Sequence, residues 1–255
     1  MEELMSASQV QSFMRSIAND EQAVALKRFF KTAPGEYGYG DQFLGIKVPE
    51  TRKVVARSRN LKLQEVGKLL ESPWHEERLC GLLILVSQFG SFCSQKHIND
   101  KNDITKRDAI LDFYLEHAQC ANNWDLVDLS VYKIVGRWLL LPSRYDDLGK
   151  LAIVDSLATS ENLWKQRMSV VCTMEPLRQG NASYTIRYAE WHMHHTHDLM
   201  HKAVGWLLRE MGKRAGMDCL RDFLKIHAAE MPRTMLRYAI ERMSGDEKKQ
   251  WMSAS

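Results

Sequence analysis

The chain has 255 residues, 45% hydrophobic and 26% charged, an ordinary globular composition that supplies a large core. Its 35 basic and 32 acidic residues leave a net charge of +3, so any nucleic-acid-binding surface has to be local. Five widely spaced cysteines with no CxxC pair exclude a disulfide framework and a zinc knuckle, and no segment approaches the roughly 20 apolar residues of a membrane helix. We therefore expect a cytoplasmic protein, neither secreted nor membrane-spanning.

Apolar positions three and four apart recur from end to end, and strand-like alternation is nearly absent. This periodicity predicts helices over about 7–19, 21–32, 49–59, 62–71, 74–89 and 105–118, then about 123–141, 145–158, 161–174, 181–194, 197–214, 216–228 and 231–243. Between the second and third, PGEYGYGDQFLGIKVPE carries four glycines and two prolines in 17 residues and reads as a structured loop with sharp backbone turns. The fold class expected is all-α over one repeat domain, residues 1–255.

Five predicted second helices, ERLCGLLIL, LVDLSVYKI, KQRMSVVCT, MHKAVGWLL and MLRYAIERM, align without gaps. Arg78, the second letter of the first, and the third letters of the others, Asp128, Arg167, Lys202 and Arg237, are separated by 50, 39, 35 and 35 residues, close to the period of two-helix repeats. An α-solenoid of helix pairs follows. Equivalent positions would line up as a cationic stripe for a phosphate backbone, with Asp128 the acidic exception. The alternative is that basic residues near helix starts are simply solvated.

Trp124 and Asp128 are four residues apart, so an indole and a carboxylate share a helix face. Lys202, Trp206, Arg209 and Lys213 follow at spacings of four, three and four, giving a face both basic and aromatic. Such a face suits nucleic acid, cations holding phosphates and indoles packing on sugars and bases. Tryptophans are also common core anchors, and Asp128 by itself reads equally as a surface carboxylate or a partner of Arg167.

At these residues the sequence resembles the AlkD-like family of DNA alkylation repair glycosylases, built from HEAT-like repeats. The segments that carry the resemblance are EYGYGDQFLGIKVPETRKV, HEERLCGLLILVSQF, NNWDLVDLS, LWKQRMSVV, KAVGWLLREMGKR and PRTMLRYAIERM, in order along nearly the whole chain. The resemblance implies a concave DNA-binding cleft and hydrolysis of the N-glycosidic bond of cationic alkylpurines such as 7-methylguanine and 3-methyladenine. The implied partner is double-stranded DNA, with no metal or organic cofactor, and a monomer is expected. It matches Asp128 to the catalytic aspartate, Trp124 and Trp206 to cleft tryptophans, and Arg167 and Arg209 to DNA-holding cations. Lesions would be processed with the cleft touching mainly sugar and backbone, without the usual extrusion of the base.

Lys202, Arg237 and Arg78 are further candidate DNA contacts from the repeat register, and Arg52 and Lys53 from the loop that precedes their helix. Phe29 and Phe30 stand where relatives offer a tyrosine, which removes a hydroxyl contact and keeps apolar packing. WHMHHTHDLM clusters His192, His194, His195 and His197 with no zinc-like spacing, and is expected to be a solvated connector rather than a metal site. The competing functions are a non-catalytic DNA-binding paralogue and a protein-binding helical scaffold.

Overall fold

The computed structural model describes residues 3–253. Among them no strand forms, only an isolated bridge between Gln42 and Trp74, and no helix is long and apolar enough to cross a membrane. The fold is all-α and solenoid-like, helices packing mostly on their chain neighbours or on the next helix but one. Backbone contacts group the chain into two compact units: residues through Ser130 together with Pro142–Arg144, and Val131–Leu141 together with Tyr145 onward.

The first unit contains α1 (Ala7–Ser16), α2 (Asp20–Phe29), α3 (Val48–Ser58), α4 (Leu63–Leu70), α5 (His75–Ser91) and α6 (Lys101–Glu116), with α7 (Trp124–Val131) reaching the boundary. Side-chain oxygens cap the starts: Ser6 accepts from the Gln9 amide, Asn19 from Gln22 and Asp100 from Asp103. Asp100 thereby starts α6 four residues before the periodic signal suggested. The centre is α5, packed by α3, α4 and α6 and buried on every side from His75 through Leu85. Its head, His75-Glu76-Glu77-Arg78, is wholly buried although every residue is polar, and Glu77 accepts from Ser72 Oγ (2.7 Å) and from Gln11 and Arg15 of α1.

Gly45, in the loop before α3, has φ +80, and a Cβ there would lie 1.9 Å from the Asn19 carbonyl oxygen. Asn19 also caps α2 and donates its amide to the Leu44 carbonyl (2.8 Å), so the loop and the helix start cannot separate to make room. Gly45→Ala is expected to lower stability by about 2–3 kcal/mol, combining left-handed strain with overpacking, as read from a denaturant midpoint. An unchanged midpoint would show that the loop is free to shift.

In the second unit the predicted helix over 123–141 continues past α7 as a π-helical turn, Tyr132–Gly136. Gly136 lies so close to the Cys172 carbonyl that a Cβ would sit 2.2 Å from its oxygen. Beyond come α8 (Asp147–Ala158), α9 (Leu163–Val171), α10 (Met174–Arg178), α11 (Ser183–Trp191), α12 (Asp198–Arg214), α13 (Met217–His227), α14 (Arg233–Ala239) and α15 (Gly245–Ser253). The central helix is α12, which packs against α9, α11, α13 and α14. The short α10 and the terminal α15 have too few apolar repeats to announce themselves in the sequence.

Candidate active site

A cleft of about 400 Å³ lies wholly within the first unit, and both members of the sequence-level pair, Trp124 and Asp128, line it. Helix α7 places them there because positions four apart share a face. The half-buried Trp124 ring stacks on Phe30 (centroids 5.4 Å apart, planes 30° apart) and meets Phe29 edge-on at 5.9 Å. Phe30 in turn stacks on Phe43 at 5.2 Å. The two phenylalanines thus supply packing around the indole, and Phe29 remains 60% exposed. Leu26, Val48 and Pro49 complete a wall that is almost wholly apolar, with the half-buried Asp128 set into it.

Beneath the aromatic rings lies a buried charge network that sequence patterning did not single out. His75 turns Nδ1 to Asp41 Oδ2 (2.8 Å) and Nε2 to Asp125 Oδ2 (2.9 Å), while Phe43 and Phe30 cover its ring with centroids 4.5 and 4.8 Å away. Arg78 donates to Asp41 Oδ1 (2.5 Å) and to the Ser72 carbonyl (2.8 Å). Burial opposes a charge on His75, but the attraction of Asp125 and the hydrogen bonds of both carboxylates outweigh it and hold the imidazole at about 9. Burial also works against the Asp41 carboxylate, yet the bonds and charges of His75 and Arg78 keep its pKa below the ordinary value.

This network corrects one sequence expectation. The repeat register puts Arg78 in a solvent-facing cationic stripe, but it is 5% exposed and its guanidinium ties the glycine-rich loop to α5. A buried arginine beside a carboxylate is held by that partner, so Arg78 is not a phosphate contact.

Glu76 is the second residue that patterning missed. Its buried carboxylate accepts from the amides of Leu44 (2.9 Å), Gly45 (2.8 Å) and Ile46 (3.1 Å), which fixes the loop that forms one side of the cleft. The available signal was chemical: a block of ionisable residues heads an otherwise apolar helix, downstream of a glycine-rich loop whose amides need acceptors.

The remaining candidates divide between the two units. Arg52 is exposed on α3, and Lys53 pairs with Glu50 at 2.8 Å on the same helix. In the second unit Arg167 is buried on α9 and donates to the Leu199 carbonyl (2.6 Å). Helix α12 carries Lys202, paired with Asp198 at 2.7 Å, the half-buried Trp206, and Arg209, paired with Glu241. Arg237 is exposed on α14 and donates to Thr234 Oγ1.

The histidine segment is less solvated than its composition suggested. His192 is 3% exposed beside Ser169 Oγ (3.0 Å), and burial, with the neighbouring His195, depresses it to about 4. His197 Nδ1 accepts the Leu199 amide (3.1 Å) and caps α12, and His195 Nδ1 accepts the His197 amide (3.0 Å). These lone pairs are already engaged, and among the described residues no three His, Cys, Asp or Glu side chains converge as a metal site would require.

The model of a family described as DNA alkylation repair enzyme matches residues 10–243. Among solved structures, a predicted DNA alkylation repair enzyme from Enterococcus faecalis superposes with a TM-score of 0.63 at 17% identity, covering 89% of this chain and 97% of that one. No curated relative matches the sequence.

Proposed function

The chain belongs to the DNA alkylation repair enzyme family, and from that premise we propose that it is a glycosylase releasing cationic alkylpurines, 7-methylguanine and 3-methyladenine, from duplex DNA. The observation that carries this reading is Asp128, a carboxylate in the wall of an aromatic cleft beside Trp124.

An alkylated purine already carries positive charge. When the bond between C1′ and the base nitrogen breaks, its electron pair neutralises the purine, which leaves without a general acid. The sugar meanwhile gains oxocarbenium character. An ionised Asp128 stabilises that charge and takes a proton from the water that attacks C1′. In an apolar cleft the carboxylate acts with little screening by solvent. The indole face of Trp124 is assigned to pack on deoxyribose and add cation–π stabilisation, and Trp206, in the second unit, is assigned to the DNA.

Exposed Arg52 and Arg237, with Lys53, Lys202 and Arg209, are assigned to the DNA backbone. The pairs of Lys53 with Glu50, Lys202 with Asp198 and Arg209 with Glu241 each include an exposed partner, and such pairs are worth about 0–1 kcal/mol, so a phosphate displaces the carboxylate readily. Arg167, on α9 of the second unit, is buried and donates to the Leu199 carbonyl, so it is assigned to holding that unit's helices rather than to direct phosphate contact.

The test is single-turnover incubation with methylated duplex DNA, with released bases separated from spontaneous depurination. Release of 7-methylguanine above background without added metal is the expected result. Tight duplex binding with background release would instead favour a non-catalytic DNA-binding paralogue. Neither binding nor release would favour the protein scaffold.

A further inference from the structure

We propose that His75 is a positioning residue for this cleft, using its two ring nitrogens to tie the glycine-rich loop at Asp41 to the first turn of α7 at Asp125, and so fixing Trp124 and Asp128. Its catalytic consequence rests on the glycosylase reading, whereas its geometric consequence does not.

Both neighbours of the ring are carboxylates, at 2.8 and 2.9 Å. Neutral imidazole has one N–H, so it would satisfy one carboxylate and turn a lone pair towards the other. Only the imidazolium donates to both. The ring's site at the start of α5 disfavours a cation by about 0.3–1 kcal/mol, and two close carboxylates exceed that. Arg78 balances the second carboxylate, giving two cations and two anions in one buried set.

The connection to the cleft runs along two routes. Asp125 directly follows Trp124 and precedes Asp128 by three residues, so a backbone shift of α7 that follows its carboxylate moves both cleft residues together. The ring also lies against Phe30, which stacks on Trp124. The charged groups around His75 are Asp41 from the loop, Asp125 from α7, and Glu76 and Arg78 from its own helix.

The sign of the pH dependence follows from the raised pKa of about 9. Stabilisation by the clasp is complete below the unfolded value, about 6.5, and is lost as pH rises through about 9. Asp125→Asn keeps an acceptor oxygen but removes the charge that contributes most to raising the pKa, so it should move this transition to lower pH.

The experiment combines a 15N NMR titration of the His75 ring, 19F NMR of fluorotryptophan at position 124, and single-turnover release, each from about pH 7 to pH 10. In the wild type the ring should be an imidazolium at pH 7 and titrate near 9, with the Trp124 signal and the release rate changing together. Asp125→Asn should lower all three midpoints. His75→Gln should slow release about 10–100-fold, the scale of a misplacement of about 1 Å, with duplex affinity within about threefold of wild type and no transition near 9. If His75→Gln does not fold, the Asp125→Asn titration carries the test alone. A neutral His75 at pH 7, or midpoints unmoved by Asp125→Asn, would overturn the proposal. So would wild-type release with an intact alkaline transition in a folded His75→Gln. If wild type releases no alkylpurine, the glycosylase reading fails, while the two NMR titrations still decide whether the clasp sets Trp124.

Discussion

Asp128→Asn is expected to slow release of 7-methylguanine about 10²–10³-fold, the loss of about 2.7–4 kcal/mol of transition-state stabilisation typical of removing one preorganised electrostatic partner. Asparagine has nearly the shape of aspartate, so the α7 face and the stacking of Trp124 on Phe30 should persist. What disappears is the negative charge that a developing oxocarbenium ion needs, in a cleft whose other walls are largely hydrocarbon and aromatic ring. The variant should bind duplex DNA as well as wild type or slightly better, since it removes an anion from the proposed path of a polyanion. Release and binding have to be measured together. Wild-type release by Asp128→Asn would remove the residue from the mechanism, and parallel loss of binding would assign it to DNA recognition.

The second large effect is structural. Glu76→Ala should destabilise the protein by about 3–5 kcal/mol, because three buried amides, those of Leu44, Gly45 and Ile46, would lose their acceptor at once. Glu76→Gln should cost less, since its carbonyl oxygen still accepts one or two of them. The contrast separates loss of acceptors from loss of charge. Because the loop carries Phe43 to the cleft and Asp41 to His75 beneath it, Glu76→Ala should also loosen the aromatic stack against Trp124 before the first unit unfolds. Urea titration followed by tryptophan fluorescence reads both events. A denaturation midpoint within error of wild type would show that the loop amides find other acceptors.

Helix after helix was legible in the sequence because its signal is local. Apolar residues three or four apart must share a face, whatever lies across from them, and the same rule put Trp124 and Asp128 side by side on α7. The glycine-rich loop was legible too, since backbone turns of that density demand glycine.

What local pattern could not reveal was the partner of each charge. The repeat register placed Arg78 among solvent-facing cations, yet helix position alone does not say what packs above it. In the fold Arg78 meets Asp41, 37 residues away, while His75 joins Asp41 and Asp125, respectively 34 and 50 residues distant. Such pairings exist only once a loop and two helices have excluded water, because burial makes a lone charge so costly that each must find an opposite one. The amino-acid order therefore determined the helices and the indole–carboxylate pair, and tertiary burial decided which neighbouring charges hold that pair in place.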